Sequence, residues 1–223
     1  MADSTRKPEV SIGAVETSGS RFYTVSDRPV AVVPTQDGGA DCVVFDFATG
    51  ELVPDRSYFG YVTPGSGKDV DALTEAEFEA RLAACRAEAG ARAAARLRDW
   101  AQRLCATAGP AADVAAALGL SGPASRGDVM VDPPPRGCDR MRVITVRGDG
   151  AAIEVQPTGS LLTRAVLDAE FGLARELPIL PDSWLEGHVG YQVTVHGAVG
   201  QCLISAHFRR QAAVRVVLRR HRP

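Results

Sequence analysis

The fold of this chain is decided by residues 73–110, which read LTEAEFEARLAACRAEAGARAAARLRDWAQRLCATAGP. Thr74 and Glu77 have the spacing of a capping box, in which each side chain accepts a hydrogen bond from the other residue's backbone amide. Apolar residues then recur at a spacing near 3.6, which is typical of an amphipathic helix. They are Phe78, Leu82, Cys85, Ala89, Ala93, Leu97, Trp100 and Leu104. The stretch predicts one long helix that begins at Thr74 and ends before Gly109-Pro110.

Two further glycines, Gly90 and Gly119, mark points in the helical part of the chain. Gly90 costs roughly 1 kcal/mol relative to alanine inside a helix, which predicts a bend or a break near that residue. A second, shorter helix is expected over Ala111–Leu118, and Gly119 is expected to end it.

The segment in front of the long helix is rich in β-branched and aromatic residues, which predicts short strands. The predicted strands are Val10–Val15, Phe22–Val25, Val30–Val33, Cys42–Phe47 and Leu52–Val53. Asp37-Gly38-Gly39 has the composition of a hairpin turn between two of them. Pro29 and Pro34 flank one strand, which favours an edge position or strand ends over the centre of a sheet.

The segment behind the helices predicts a second β-rich region. Met141–Val146 and Ala151–Val155 are expected to pair as a hairpin. Ser160 is the expected N-cap of a helix that Gly172 ends. Three more strands are predicted at Tyr191–His196, Cys202–Phe208 and Ala213–Arg219.

These elements predict an α+β protein with an N-terminal antiparallel β segment, a long helix and a smaller β-rich C-terminal domain. Residues 121–139 are rich in Gly, Pro and Ser, and Pro133-Pro134-Pro135 lies among them, so a stiff linker is expected there. We therefore assign residues 1–120 to the N-terminal hairpins with both helices. Residues 140–223 are assigned to a C-terminal α+β domain.

Composition excludes several classes of protein. Of the 223 residues 45% are hydrophobic and 23% are charged, which suffices for a buried core. The formal net charge of −2 provides no global field that would attract nucleic acid or an acidic membrane. No stretch approaches the ~20 apolar residues of a membrane span, and no signal-peptide pattern begins the chain. We expect a cytoplasmic protein without membrane association.

The five cysteines are widely spaced and form no close pair of the metal-ligand type. They are Cys42, Cys85, Cys105, Cys138 and Cys202. We expect free thiols in a reducing compartment, and no sequence context marks one of them for a lowered pKa. No metal and no other cofactor is predicted.

The histidines also lack the arrangement of a metal site. If Ala198-Val199 turns a hairpin, His196 lies opposite Gln201 and His207 lies opposite Gly190. The two imidazoles would then be about 20 Å apart along the strands, at ~3.4 Å per residue. One metal ion cannot bridge that distance.

No catalytic template is complete in this sequence. Gly65-Ser66-Gly67-Lys68 resembles a phosphate-binding loop, but Val62 stands in place of the first glycine and Asp69 in place of the magnesium-binding hydroxyl. No catalytic residue is therefore predicted. Asp46 and Glu51 flank a tight turn and leave one enzyme alternative, a small hydrolase-like protein with an acidic site.

Residues 112–121, ADVAAALGLS, resemble the first helix and turn of bacterial helix-turn-helix repressors. The resemblance covers about ten residues and implies a recognition helix directly after the turn. Gly122 and Pro123 at one end and Gly127 at the other would limit that helix to about two turns. Arg126 would be its only base-reading side chain, with Ser125 beside it. DNA binding is therefore an alternative function.

Arginines are concentrated at the C-terminal end, where residues 187–223 contain no acidic residue. The candidates for binding a partner or an anion are Arg209, Arg210, Arg215, Arg219 and Arg220. Two of them, Arg215 and Arg219, alternate with apolar residues as in a half-buried strand. They could bind an acidic partner, or they could protect a terminal strand from pairing with other chains. The leading hypothesis is a non-catalytic macromolecule-binding protein, of the adaptor or toxin-neutralising kind, whose partner is another protein.

Overall fold

The computed structural model describes residues 19–63, 69–146, 150–179, 186–194 and 201–221. The chain forms two units, residues 1–46 with 52–83 and residues 47–51 with 84–223. The predicted strand Val10–Val15, the loop at residues 65–68 and His196 lie outside the described residues. The order of elements confirms the α+β class, with a β segment, a long helix and a β-rich C-terminal part.

The first unit is built on a five-stranded sheet. Its strands are β1 (Arg21–Val25), β2 (Arg28–Pro34), β3 (Ala40–Asp46), β4 (Glu51–Pro54) and β5 (Val70–Leu73). Their order in the sheet is β4-β3-β2-β1-β5. A 3-10 turn at Arg56–Tyr58 and the short helix α1 (Phe59–Val62) follow β4.

The hairpin predicted at Asp37-Gly38-Gly39 is confirmed by the antiparallel pairing of β2 with β3. Of the two positions expected for the prolines, an edge strand or strand ends, the edge strand is excluded because β2 lies between β3 and β1. Pro29 and Pro34 are nevertheless near the ends of the strand. A missing N–H at those points leaves the hydrogen bonds of the strand interior intact.

Both faces of this sheet carry buried side chains, because alternate residues of a strand point to opposite faces. On one face, Val25, Val30, Val32, Cys42 and Val44 form a buried cluster. On the other face, the ring of Phe22 stacks on Phe78 with ring centroids 4.7 Å apart. The first turns of the long helix are thereby fixed to the first unit.

That helix is α2 (Glu75–Ala106). Its predicted cap is confirmed: the Thr74 amide donates to Glu77 Oε2 at 2.8 Å, and the Glu77 amide donates to Thr74 Oγ1 at 3.3 Å. The helix continues through Gly90, so the predicted break is absent. A Cβ at Gly90 would lie 3.0 Å from the Leu161 carbonyl oxygen, so glycine permits a close approach there.

The second unit contains the rest of α2, two further helices and an eight-stranded sheet of order β10-β11-β12-β13-β9-β8-β7-β6. The helices are α3 (Ala111–Ala117) and α4 (Arg164–Phe171). The strands are β6 (Ala124–Ser125), β7 (Asp128–Met130), β8 (Cys138–Val146), β9 (Gly150–Pro157), β10 (Arg175–Glu176), β11 (Gly187–Thr194), β12 (Gln201–Arg209) and β13 (Ala212–His221).

Two features of this unit differ from the sequence predictions. Residues 121–139, expected as a linker, contain β6 and β7, which belong to the large sheet because β7 pairs with β8. The helix expected to begin at Ser160 begins after Thr163, whose hydroxyl accepts a hydrogen bond from the Val166 amide at 3.3 Å. Gly172 ends that helix as predicted.

The main core lies between the helices and one face of the large sheet. Leu97 and Leu104 of α2, Val114 of α3 and Leu167 of α4 are fully buried against it. The sheet contributes mainly aliphatic residues, among them Met141, Val143, Ile153, Val189, Ile204, Val216 and Leu218. In the described ranges, no helix combines the length and the apolar composition that crossing a membrane requires.

Candidate partner-binding face

The other face of the large sheet carries polar and charged side chains, because they alternate with the core residues along each strand. We term it the open face and define it by Arg142, Glu154, His188, His207, Arg215 and Arg219. The strand register places these residues side by side. Arg142 lies opposite Glu154, and His207 lies between His188 and Arg215.

Glu154 is the centre of an ion-pair cluster on this face. Its side chain is only 7% exposed, although it carries charge. Arg142 Nη2 donates to Glu154 Oε2 at 2.7 Å, and Arg215 Nε lies 3.1 Å from Glu154 Oε1. Two guanidinium groups therefore share one carboxylate, which leaves an excess of positive charge. The two arginines are held in position, because their charge-assisted hydrogen bonds converge on a buried acceptor.

Arg219 adds a further positive charge to the open face. It is exposed, and it lies between Leu203 of β12 and Ala152 of β9 in the sheet. Its guanidinium forms no ion pair with any residue in the described part of the chain. The six residues that define the open face thus include three arginines and one glutamate.

His188 and His207 stack face to face, with ring centroids 3.9 Å apart and an interplanar angle of 14°. The predicted pairing of His207 with Gly190 is wrong by two residues, because the hairpin has a different register. Burial is the main cause of the lowered pKa of His207. The neighbouring His188 and Arg215 lower this pKa further, whereas Glu154 raises it. Among the described residues, no three His, Cys, Asp or Glu side chains converge on a possible metal site.

Arg220 is not part of the open face, which corrects its assignment as a partner-binding residue. Since residues 219 and 220 point to opposite faces, its side chain enters the core side, where it is 7% exposed. Its Nη2 donates to the Leu104 carbonyl oxygen at 2.7 Å and also to that of Thr107. Arg220 therefore binds carbonyl groups that the end of α2 leaves without intrahelical donors.

Arg209 and Arg210 lie at one end of the sheet. Arg209 ends β12, and Arg210 begins the turn into β13 with a positive φ of 48°. Both side chains are exposed, and the Arg210 amide donates to the Glu186 carboxylate. Of the five predicted arginines, Arg215 and Arg219 are among the six residues that define the open face.

The expected helix-turn-helix is wrong in its second helix. The first helix is present as α3, but Ser125 ends β6, and Arg126 occupies the turn before β7 with a φ of 53°. The reason is sheet pairing: β6 and β7 form a hairpin, and the Thr145 amide of β8 donates to the Asp128 carboxylate at 2.8 Å. A cleft of about 350 Å³ is lined there by Pro123, Ser125, Arg126, Asp128, Met130 and Arg142.

Asp46 and Glu51, the predicted acidic pair, occupy the end of β3 and the start of β4. Asp46 is half-buried and belongs to the first unit, whereas Glu51 is exposed and belongs to the second. Neither residue lines the clefts described in this section.

A larger cleft of about 610 Å³ lies at the start of α4, where Arg164 and Asp168 are among the residues that line it. Arg164 Nε lies 3.0 Å from Asp168, and its Nη1 donates to Glu176 at 2.9 Å. The Tyr191 hydroxyl donates to Asp168 at 2.9 Å. Arg164 is therefore paired with two carboxylates, whereas Arg219 of the open face has no ion pair among the described residues.

Sequence reasoning missed Arg142, Glu154 and His188 as members of the open face. The alternation in β8 and β9 carried a usable signal, because the predicted hairpin already placed Arg142 near Glu154. The position of His188 depended on the register of the hairpin between β11 and β12.

Comparison of this chain with protein families, curated proteins and solved structures found no match in any of the three. Function is therefore inferred from the side chains themselves.

Proposed function

We propose that this chain is a non-catalytic macromolecule-binding protein of the adaptor or toxin-neutralising kind. Its open face binds an acidic segment of another protein. The observation that supports this proposal is the excess of arginine: among the six residues that define the face, Arg142, Arg215 and Arg219 outnumber the one glutamate, Glu154. Arginine is suited to this role because its planar guanidinium binds carboxylates with two parallel hydrogen bonds.

The arrangement lowers the entropic cost of binding. Glu154 already orients Arg142 and Arg215, so less rotamer freedom is lost when a partner binds. Arg219 remains available for a carboxylate of the partner. The partly exposed side chains of Leu203 and Val217 lie on the same face and supply apolar contact area beside the charges.

One observation favours DNA as a second candidate. Arg126 and Arg142 line the same cleft at the edge of the sheet, next to the open face. Guanidinium groups also bind phosphates, and such binding weakens steeply with salt because counterions are released from the nucleic acid. The two candidates share arginines, but they differ in the ligand that should bind at moderate salt.

A binding titration tests the proposal. The probe is a fluorescein-labelled poly-glutamate peptide, and fluorescence anisotropy reports its binding to the full chain. We expect Arg219→Glu to weaken binding tenfold or more, because the variant places a carboxylate on the face that receives carboxylates. Arg92→Glu is the matched control, since it makes the same change in net charge at an exposed position on α2.

Four outcomes are informative. Binding that Arg219→Glu weakens and Arg92→Glu leaves within twofold supports the proposal. Equal weakening by both variants means that peptide binding depends only on the net charge of the protein, and this result overturns the proposal. Retention of an arbitrary labelled DNA duplex at about 50 mM salt, with no binding of the peptide, overturns it in favour of the second candidate. A protein partner captured by the wild type and Arg92→Glu, and lost with Arg219→Glu, would identify the natural ligand.

A further inference from the structure

Two cysteines far apart in sequence meet on the helix-bearing side of the large sheet. Cys105 is the penultimate residue of α2, and Cys202 is the second residue of β12. Cys202 is fully buried, and Cys105 is half-buried and packs against the same core cluster. The two thiols are joined by a hydrogen bond. Both are free thiols in this structure.

Arg220 places a positive charge beside this pair. It lies directly opposite Cys202 in the pairing of β12 with β13, and its guanidinium reaches the Leu104 carbonyl oxygen, next to Cys105, at 2.7 Å. Three elements therefore bring a thiol, a second thiol and a guanidinium together. Such electropositive, partly accessible surroundings distinguish reactive cysteines from structural ones.

The electrostatics distinguish Cys105 from Cys42 and Cys138. The hydrogen bond from Cys202, and then the charge of Arg220, lower the pKa of Cys105 against the effect of burial. The same hydrogen bond and burial raise the pKa of Cys202. Burial raises the pKa of Cys138, and it raises that of Cys42 to about 11. Cys105 is thus the thiol of the pair that ionises first. The sequence had marked no cysteine for a lowered pKa.

We propose that Cys105 and Cys202 form a redox-active dithiol that a hydroperoxide converts into a disulfide between α2 and β12. Cys105 is the attacking thiolate because it is the more accessible of the two. Cys202 is the resolving thiol because its side chain interacts directly with that of Cys105, and its strand neighbour Arg220 reaches the carbonyl group next to Cys105. The proposal is independent of the open face, which lies on the opposite side of the sheet.

The reaction has two steps. The Cys105 thiolate attacks the terminal oxygen of the hydroperoxide, so an S–O bond forms, the O–O bond breaks and the alkoxide leaves as an alcohol after taking a proton. Cys105 is then a sulfenic acid. The Cys202 sulfur attacks the Cys105 sulfur, the S–S bond forms, and hydroxide leaves with the Cys202 proton as water. Two thiols are oxidised and one peroxide is reduced to an alcohol and water.

The product would fasten the end of α2 to the sheet covalently. The disulfide closes a long loop between residues 105 and 202, and such closure stabilises a fold mainly by restricting the unfolded chain. A small thiol reductant would reverse it by thiol–disulfide exchange. The oxidised protein should therefore have a higher Tm than the reduced protein, and reductant should restore the lower value.

Peptide mapping tests the proposal on the full chain. The reduced protein is treated with hydrogen peroxide and then unfolded in guanidinium chloride that contains N-ethylmaleimide, so that buried free thiols are alkylated too, and its intact mass and digest are measured. We expect two of the five thiols to escape alkylation and the peptides of Cys105 and Cys202 to be linked to each other. Cys138→Ser is the matched control, because it removes the other half-buried thiol and should leave the link intact.

Variants separate the two steps. In Cys202→Ser the reaction should stop at the sulfenic acid of Cys105, which dimedone traps, and Cys105→Ser should form no link. If either variant fails to fold, the alkylation rates of the wild-type thiols at neutral pH test the proposal instead. We expect Cys105 to react faster than Cys138. A wild-type protein whose peroxide treatment links other cysteines, joins separate chains or leaves all five thiols free overturns the proposal. Alkylation of Cys105 no faster than that of Cys138 also overturns it.

Discussion

The imidazole rings of His188 and His207 stack across β11 and β12 with centroids 3.9 Å apart. Arg215 on β13 and Glu154 on β9 are the charged groups that act on His207 from the neighbouring strands. Protonation of His207 is disfavoured there, because burial, the second imidazole and the guanidinium together outweigh the glutamate. His207 therefore loses its proton more readily than a free imidazole does.

The stability of the protein should fall as the pH is lowered through the usual histidine range. The pKa of His207 is lowered in the folded chain, so the unfolded chain binds more protons below about pH 6.5. The free energy of unfolding then decreases with falling pH. His207→Gln should reduce this dependence, which urea titrations at about pH 7.5 and about pH 5.5 measure on either side of that value. An unchanged dependence in the variant would contradict the assignment.

Arg220→Met should destabilise the protein by about 2 to 4 kcal/mol, because it leaves the carbonyl oxygens of Leu104 and Thr107 buried without their donor. Arg219→Met is the control, since the neighbouring side chain points to the open face and is exposed. Its effect should stay within about 0.5 kcal/mol. Chemical denaturation monitored by circular dichroism gives both values, and similar losses in the two variants would refute the distinction between the faces.

Thr74→Ala should lower the free energy of unfolding by about 1 kcal/mol, because the start of α2 loses its cap. Thr74→Ser keeps the hydroxyl and should have little effect. Hydrogen bonds from the amide and the hydroxyl of Thr74 lower the pKa of Glu77. An NMR titration of the Glu77 carboxyl should therefore show its pKa rising towards the usual value in Thr74→Ala. A pKa that does not change would argue against the capping box.

Gly159→Ala should be strongly destabilising, by about 3 kcal/mol or more. Gly159 has a φ of +72°, and a Cβ there would lie 2.2 Å from the backbone oxygen of Thr49. Gly119→Ala is a matched control with a φ of +69° and no atom within 4 Å of the added Cβ. It should cost only the strain of a left-handed alanine, about 1 kcal/mol. Equal losses measured by urea denaturation would show that the contact with Thr49 is unimportant.

Much of the secondary structure followed from the sequence because its causes are local. The capping box joins residues three positions apart, and the apolar residues of α2 repeat within each turn. The hairpins β2-β3 and β8-β9 were predicted from turn residues between alternating strands. The alternation also placed Arg215 and Arg219 correctly on one face.

The candidate site depended on contacts that no local pattern contains. A shift of two residues in the pairing of β11 with β12 keeps every side chain on its face but changes its neighbour, so His207 lies opposite His188 and not Gly190. The meeting of Cys105 with Cys202 likewise depends on how α2 packs on the sheet. Sequence alone determined where the long helix and most of the longer strands form and which way most of their side chains point, because those follow from hydrogen bonds and periodicity within a few residues. Only the tertiary structure decided which charges, rings and thiols meet, because that depends on strand register and packing between residues far apart in the chain.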